Sequence, residues 1–306
     1  MKKMSVVIPT YNRMDILKMT LDALAAQTSI GRDEYEVVVV DDGSTDGTVD
    51  FLKGYRPAIE FTALFMSHGG PARARNAGVD RAVGEYVVFI GDDTIPAGDF
   101  LARHFDAHRA HPHDAVVGFT TWDPRCGVTP FMRFLETSGL QFSYGGLVDG
   151  QEIDYNRFYT SNVSLHRDIF LVERFDDRFP YAAFEDIEYG YRLMKRGIRS
   201  YYAAGAQCRH FHHYPDESRI IARQEQVACS MLYFIEKHPE LRPMLLGKRN
   251  PQAIKWIARL LYTFPVKVVR RDIYWLAGMT YIKYAYIAAS LRHGRVLPAR
   301  GQQGAA

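Results

Sequence analysis

Three short runs of β-branched and aromatic residues constrain this chain more than anything else in it. They are MSVVIPT (4–10), YEVVVVDDGS (35–44) and EYVVFI (85–90). Their cores do not alternate apolar with polar residues. Strands that are apolar on both faces must be covered on both faces, as in parallel sheets flanked by helices. The intervening segments supply the helices. NRMDILKMTLDALAAQ (12–27) has Asn12 as its expected cap and Leu17, Leu21 and Leu24 on one face. TDGTVDFLKGY (45–55) is a shorter helix, and GGPARARNAGVDRAVG (69–84) has Pro71 in its first turn and Gly84 as its stop. IEFTALFM (59–66) is expected to add a strand. Ligands of such sheets sit beyond the carboxyl ends of the strands. PTYNR, DDGS and GDDTIP all fall there, so three polar clusters converge on one rim.

The middle of the chain is less regular. A strand is expected within 110–124, a helix at 129–142, a strand turning into a helix at 158–171, a helix at 184–197 and a strand at 198–204. From about residue 216 onward the pattern is helical and basic. A length of 306 residues allows one large or two small domains. The net charge of +3 gives no argument for a nucleic-acid partner. Cys126, Cys208 and Cys229 form no CxxC, which supports neither a zinc site nor a disulfide framework and fits a reducing compartment. The first apolar stretch meets Pro9 at once and reads as a strand, not a signal peptide.

Each polar cluster has a plain reading beside a chemical one. Asp41 and Asp42 could form a turn after a strand, or accept hydrogen bonds from a base or ribose. Arg73, Arg75 and Asn76 at a helix start could be a solvated basic face, or could attract phosphate. Asp92 and Asp93 repel each other and are costly to desolvate. A turn with an Asp cap would tolerate them, whereas magnesium or manganese held by carboxylates and substrate phosphates would use them. Glu185 and Asp186 could simply complement a helix N-terminus, or one could be a general base. His210, His212 and His213 follow a short strand, and alternation puts His210 and His212 on one side, where either could meet a metal or a diphosphate.

Taken in order, SVVIPTYNR, VVVVDDGSTDGT, GGPARARNAG, FIGDDTIP, SNVSLHRDIF, FEDIEYGYRL and CRHFHHYP resemble a family 2 glycosyltransferase of the GT-A fold. The resemblance runs from about residue 4 to about residue 215. It implies an α/β fold with a mostly parallel central sheet, flanking helices and a helical C-terminal extension. It also implies an inverting transferase that uses a nucleotide-diphosphate sugar, a UDP-sugar first, and a divalent cation, Mg2+ or Mn2+. On this resemblance Thr10, Tyr11 and Arg13 border the nucleoside, and Asp42 or Asp41 reads base or ribose. Arg75 and Asn76 lie below the diphosphate, and Asp93 touches the cation. Gly91 replaces the first carboxylate of the family's Asp-x-Asp motif, so Asp92 would supply part of the ribose contact. Asp186 matches the base, and His210 or His212 the histidine that helps hold cation or diphosphate. Trp122, Tyr159 and Asn162, with Glu185, lie in segments expected to border the donor sugar and acceptor.

The resulting division is a nucleotide-sugar half at 1–112, an acceptor and catalytic half at 113–215, and a helical region at 216–306 open to membrane association or oligomerisation. Within it, 256–297 is basic and aromatic, and Lys283 interrupts the 19 residues from Ile273 to Leu291. A packed helical cap ranks first for this segment, a membrane surface second and a span a distant third. The expected setting is cytoplasmic or peripheral at the inner face of the membrane, in surface-glycan synthesis. The acceptor would be a glycan, a lipid-linked sugar or a protein, and an oligomer of the chain is open. Two rivals remain at this point. A sugar-nucleotide nucleotidyltransferase would carry a glycine-rich basic loop where PTYNR stands. A non-catalytic nucleotide-sugar binding protein would bind donor without turnover.

Overall fold

The computed structural model describes residues 2–246, 251–263 and 270–293. By compactness the chain divides into two units. The first contains the chain up to Val128, Leu135–Asp177 and Asp186–His213. The second contains Thr129–Phe134, Arg178–Glu185 and the described chain from Tyr214 onward.

The first unit opens with β1 (Met4–Thr10), α1 (Met14–Ala25), β2 (Tyr35–Asp41), α2 (Thr48–Gly54), β3 (Glu60–Phe65), α3 (Pro71–Arg81) and β4 (Tyr86–Ile90). The four strands lie in the order β3-β2-β1-β4, and every pairing among them is parallel. Val6, Ile8, Val37, Val39, Val88 and Ile90 share a core with Leu17, Leu21 and Leu24 of α1. On the other face α3 comes so close that a Cβ on Gly78 would lie 2.4 Å from Val7 Cγ1. That two-sided cover is why these strands carry no polar stripe.

Beyond β4 the sheet is mixed. The chain adds β5 (Thr94–Pro96), α4 (Phe100–Ala110), β6 (Ala115–Trp122), α5 (Pro130–Thr137), β7 (Glu152–Ile153), β8 (Asn162–His166), α6 (Ile169–Val172), α7 (Glu185–Lys195) and β9 (Ser200–His210). The order continues β4-β8-β6-β9-β5, with β7 also on β9. β8 is antiparallel to both β4 and β6, while β6 and β9 are parallel. The expected strand at 198–204 is longer than the periodicity suggested, because β9 continues to His210 through a register shift at Gly118/Phe119 of β6.

Asn162 explains that shift. It is fully buried, and its Nδ2 donates to Phe119 O at 3.1 Å and Ala206 O at 2.9 Å. A Cβ on Gly118 would lie 2.4 Å from Asn162 Oδ1 and 2.3 Å from Ala206 O, so only glycine leaves room for this amide. The amide also fixes a proton chain. With Nδ2 committed, Oδ1 accepts from His104 Nε2 at 2.8 Å. His104 Nδ1 then accepts from Ser164 Oγ at 2.8 Å, while Ser164 Oγ also lies 2.7 Å from His108 Nε2, and His108 Nδ1 lies 3.2 Å from His111 O. Burial pushes the two imidazoles down to about 4 and about 3, so both are neutral.

The second unit is helical: α8 (Ser218–Ala222), α9 (Gln224–Lys237), α10 (Arg242–Leu246), α11 (Pro251–Thr263) and α12 (Arg271–His293). Ala228, Met231, Ile235, Leu246 and Ile287 form its core. Tyr262 of α11 stacks on Tyr274 and Tyr281 of α12, with centroids 5.0 and 6.2 Å apart. Ile273–Leu291 lies within α12. Among the described residues, no helix is long and apolar enough to cross a membrane.

Candidate active site

The carboxyl ends of β1, β2 and β4 carry the polar loops to one rim. Thr10 closes β1, and its Oγ1 donates to Asp92 Oδ2 at 2.8 Å. Thr20 of α1 donates to Asp92 O at 2.8 Å. Arg13 pairs through Nη1 with Asp93 Oδ2, and reaches Asp92 Oδ1 at 3.5 Å. Asp93 stands just before β5, whose Thr94 is opposite His210 in β9. Phe211 N donates to Asp93 O at 2.7 Å, and His210 Nε2 lies 3.4 Å from Asp93 Oδ1.

Both carboxylates are buried, and their charges cannot be independent. Burial, then the Asp93 charge, pushes Asp92 up to about 7 against the pull of Arg13 and Thr10. Burial would raise Asp93 too, but His210, Arg13 and His212 together hold it below its ordinary value. Burial lowers His210 against the pull of the Asp93 charge, and its Nδ1 is buried without a hydrogen-bond partner among the described residues. The residues suit a hard divalent cation. A carboxylate oxygen and an imidazole nitrogen face each other, with His212 5.9 Å from His210 ring to ring. No three acidic, His or Cys side chains among the described residues form a closed cage, so a cation here would need oxygens from a diphosphate.

Asp186 sits in the first turn of α7, and its Oδ1 accepts from Ile187 N at 2.8 Å. Thr160 N lies 3.4 Å from Asp186 Oδ2. Thr160 is two residues before Asn162, which pairs with Ile90, and Asp92 is two residues beyond Ile90. The antiparallel register therefore brings Thr160, and Asp186 with it, to the rim where the acid pair lies. Asp186 is half-buried, not sealed. Tyr159 is close enough that burial, then the Asp186 charge, pushes its phenol up to about 12. Glu185 is buried and falls in the second unit.

Trp122 packs its ring against Phe142 at 4.8 Å and His210 at 5.5 Å. Tyr11 is exposed and stacks on His68, centroids 4.3 Å apart. His68 also meets Asp42, Nδ1 to Oδ2 at 2.9 Å, and Gly69 N and Gly70 N each donate to Asp42 at 2.8 Å. Asp42 thus shapes the turn into α3. Asp41 takes the plain turn: its Oδ2 accepts from Gly43 N and Ser44 N, while Oδ1 is buried without a partner among the described residues. Arg75 is buried with its guanidinium over Phe175, 5.6 Å to the centroid.

Three expectations need correction. Asn162 does not border a ligand, because every polar atom of its amide is engaged inside the sheet. Asn76 is tied into the fold: it clamps Phe175, donating to its carbonyl at 2.9 Å and accepting from its amide at 3.0 Å. Asn12 does not cap α1. It adopts φ 53°, and its Oδ1 accepts from Thr45 N at 2.7 Å. Asp46 Oδ2 takes Met14 N at 3.2 Å in its place. The sequence reading also missed His68 and Thr20. His68 directly precedes the GGPARARN motif, and that adjacency was the available signal. Nothing in the helical pattern marks Thr20.

Residues 5–161 match the model of glycosyl transferase family 2. The chain belongs to that family. This family 2 glycosyltransferase is 32% identical to validoxylamine A glucosyltransferase of Streptomyces hygroscopicus subsp. jinggangensis over 79% of its own length. It spans only 62% of that relative. It is 34% identical to poly(ribitol-phosphate) beta-glucosyltransferase of Bacillus spizizenii over 38% of the chain and 19% of the relative. Its fold is that of the mannosyltransferase PcManGT from Pyrobaculum calidifontis, solved with GDP-Man and Mn2+. The TM-score is 0.65 at 20% identity, covering 96% of this chain and 88% of the other. S. aureus TarS 1-349 in complex with UDP matches with TM-score 0.56 at 19% identity over 96% and 92% of the two chains. Both neighbours are GT-A glycosyltransferases, so the family 2 chain has a GT-A fold.

Proposed function

We propose that this glycosyltransferase moves a sugar from a nucleotide diphosphate to an acceptor hydroxyl with inversion at the anomeric carbon. One observation supports this above the others: the buried Asp92–Asp93 pair shares a sheet rim with Asp186, a half-buried carboxylate reached by the register of β8. Asp93, with His210 or His212, would hold a magnesium or manganese ion. Bound there, the ion would offset the negative charge that gathers on the departing diphosphate.

The chain's own groups account for the rest. Thr10 and Arg13 fix the acid pair on the donor side. Tyr11 offers an aromatic face, and Asp41 Oδ1 an unfilled acceptor, on the nucleoside side. Asp186 takes the acceptor's hydroxyl proton as the acceptor oxygen bonds to the anomeric carbon. The bond to the diphosphate oxygen breaks, and its electron pair leaves with that oxygen. One displacement from the opposite face inverts the carbon. Trp122 and Tyr159 border the space where sugar and acceptor would meet.

A UDP-linked hexose or related sugar is the proposed donor, and a surface glycan the proposed acceptor. Two of the named relatives are glucosyltransferases and TarS, an N-acetylglucosaminyltransferase, has been solved with UDP-GlcNAc, while the mannosyltransferase PcManGT was solved with GDP-Man. Three free cysteines agree with a cytoplasmic setting.

Two variants test the reading in one assay. Asp186→Asn should leave cation-dependent donor binding within about twofold of wild type and lower transfer by about a thousandfold or more. Asp93→Ala should weaken donor binding in the presence of Mn2+. Undiminished transfer by Asp186→Asn would remove the proposed base. A wild-type chain that binds donor and never turns over would restore the binding-protein reading.

A further inference from the structure

Charge along this chain is divided unevenly. Leu241–Ala306 contains twelve lysines and arginines and one acidic residue, Asp272. Residues 1–240 contain 26 basic and 34 acidic residues. The total of +3 conceals a strongly cationic end joined to an anionic body. Helix α11 lies in the cationic end, and Lys255 and Arg259 are its only charged residues.

Helix α11 buries only Ala258 and turns large apolar side chains outward. Trp256 is 71% exposed, Ile257 61% and Leu260 56%. At spacings i, i+1 and i+4 they share one face of the helix. Lys255 precedes this group and Arg259 lies within it. A solvated surface helix does not present tryptophan, isoleucine and leucine together to water without a partner. Nucleic acid would match the charge but leave the apolar group unused. An anionic bilayer matches both: the interface accepts Trp, Ile and Leu, and the headgroups attract Lys and Arg.

We propose that the outer face of α11 docks this enzyme onto the surface of an anionic lipid bilayer. The helix lies in the interface and does not span it, in keeping with its 13 residues. The proposal is independent of the catalytic reading, because it uses no residue of the acid pair or of α7.

The chain contains its own reporter. Of its three tryptophans, Trp122 and Trp275 are each 4% exposed, so Trp256 is the one that can pass from water into an apolar layer. The full-length protein is mixed with vesicles of phosphatidylcholine alone, or of phosphatidylcholine with an equal part of phosphatidylglycerol. Emission and co-sedimentation are followed together. The expected result is a blue shift and co-sedimentation with the anionic vesicles, weaker in high salt and much weaker with the neutral ones. Ile257→Glu/Leu260→Glu, which retains the reporter, should bind anionic vesicles on the order of a hundredfold more weakly. An unchanged melting temperature would show that this variant folds.

Lys255→Gln/Arg259→Gln should lower partition into anionic vesicles about tenfold or more. An unshifted spectrum with both vesicle types overturns the proposal. So does a blue shift already present without vesicles that grows with protein concentration, which would assign the face to a second copy of the chain. Co-sedimentation that survives Ile257→Glu/Leu260→Glu undiminished would also overturn it, since charge alone would then be sufficient.

Discussion

Arg13 shows how one residue can alter the reading of a motif. A guanidinium already pairs with Asp93 Oδ2 and reaches Asp92 Oδ1. It neutralises part of the acid pair in the unliganded chain and so competes with any added ion for that charge. Arg13→Gln should therefore tighten Mn2+ binding measured without nucleotide by roughly three- to tenfold, as expected for a partly exposed ion pair. A direct titration of the ion into both proteins checks this, and equal affinities would exclude the competition. Gly91 fits the same crowded picture. A Cβ there would lie 2.8 Å from Asp93 Oδ1 and 2.9 Å from Thr94 Oγ1, so a third carboxylate would enter an occupied space. Motif position identified Asp92, Asp93 and Asp186 as candidates because their chemistry is carried by charge at a strand or helix end. It misjudged Asn76 and Asn162. An amide reads identically in sequence whether it faces a ligand or ties two backbone segments together.

At the scale of elements, α4 and β8 hold the test. His104 and His108 are neutral in the fold at pH 7, with burial lowering them to about 4 and about 3. In the unfolded chain each takes a proton near pH ~6.5. Below that pH the unfolded state binds protons that the folded state refuses, until the folded values are reached. Stability is thus fully present above pH ~6.5 and declines as pH falls toward ~4, by up to about 1.4 kcal/mol per histidine per unit. Thermal melts at a series of pH values should show that fall, and His108→Gln should make it shallower. Gly118→Ala should lower stability by about 1–3 kcal/mol, because the new methyl meets the Asn162 amide and Ala206 O. Denaturant titration would read it directly. The parallel half of the sheet was legible because its strands are apolar on both sides. The mixed half was less so: a two-residue β7 and a shifted β6–β9 register leave no periodic trace.

The site exists only at the scale of the whole first unit. Thr10 meets Asp92 across 82 residues of chain, and His210 comes to Asp93 from the last strand. Sequence could name these residues but not their partners, since pairing at such distances is a property of the closed sheet. Ending the chain after Ile198 should abolish the cooperative melt and Mn2+-dependent donor binding together. Retention of either would mean that β9 is dispensable. Strand β9 pairs with β5, β6 and β7, so three strands wait for it. A growing polypeptide still on the ribosome short of Ser200 has open edges and no gathered rim. No ligand of that rim can shelter it from proteases or from clumping with its neighbours until the final strand of the sheet has been made.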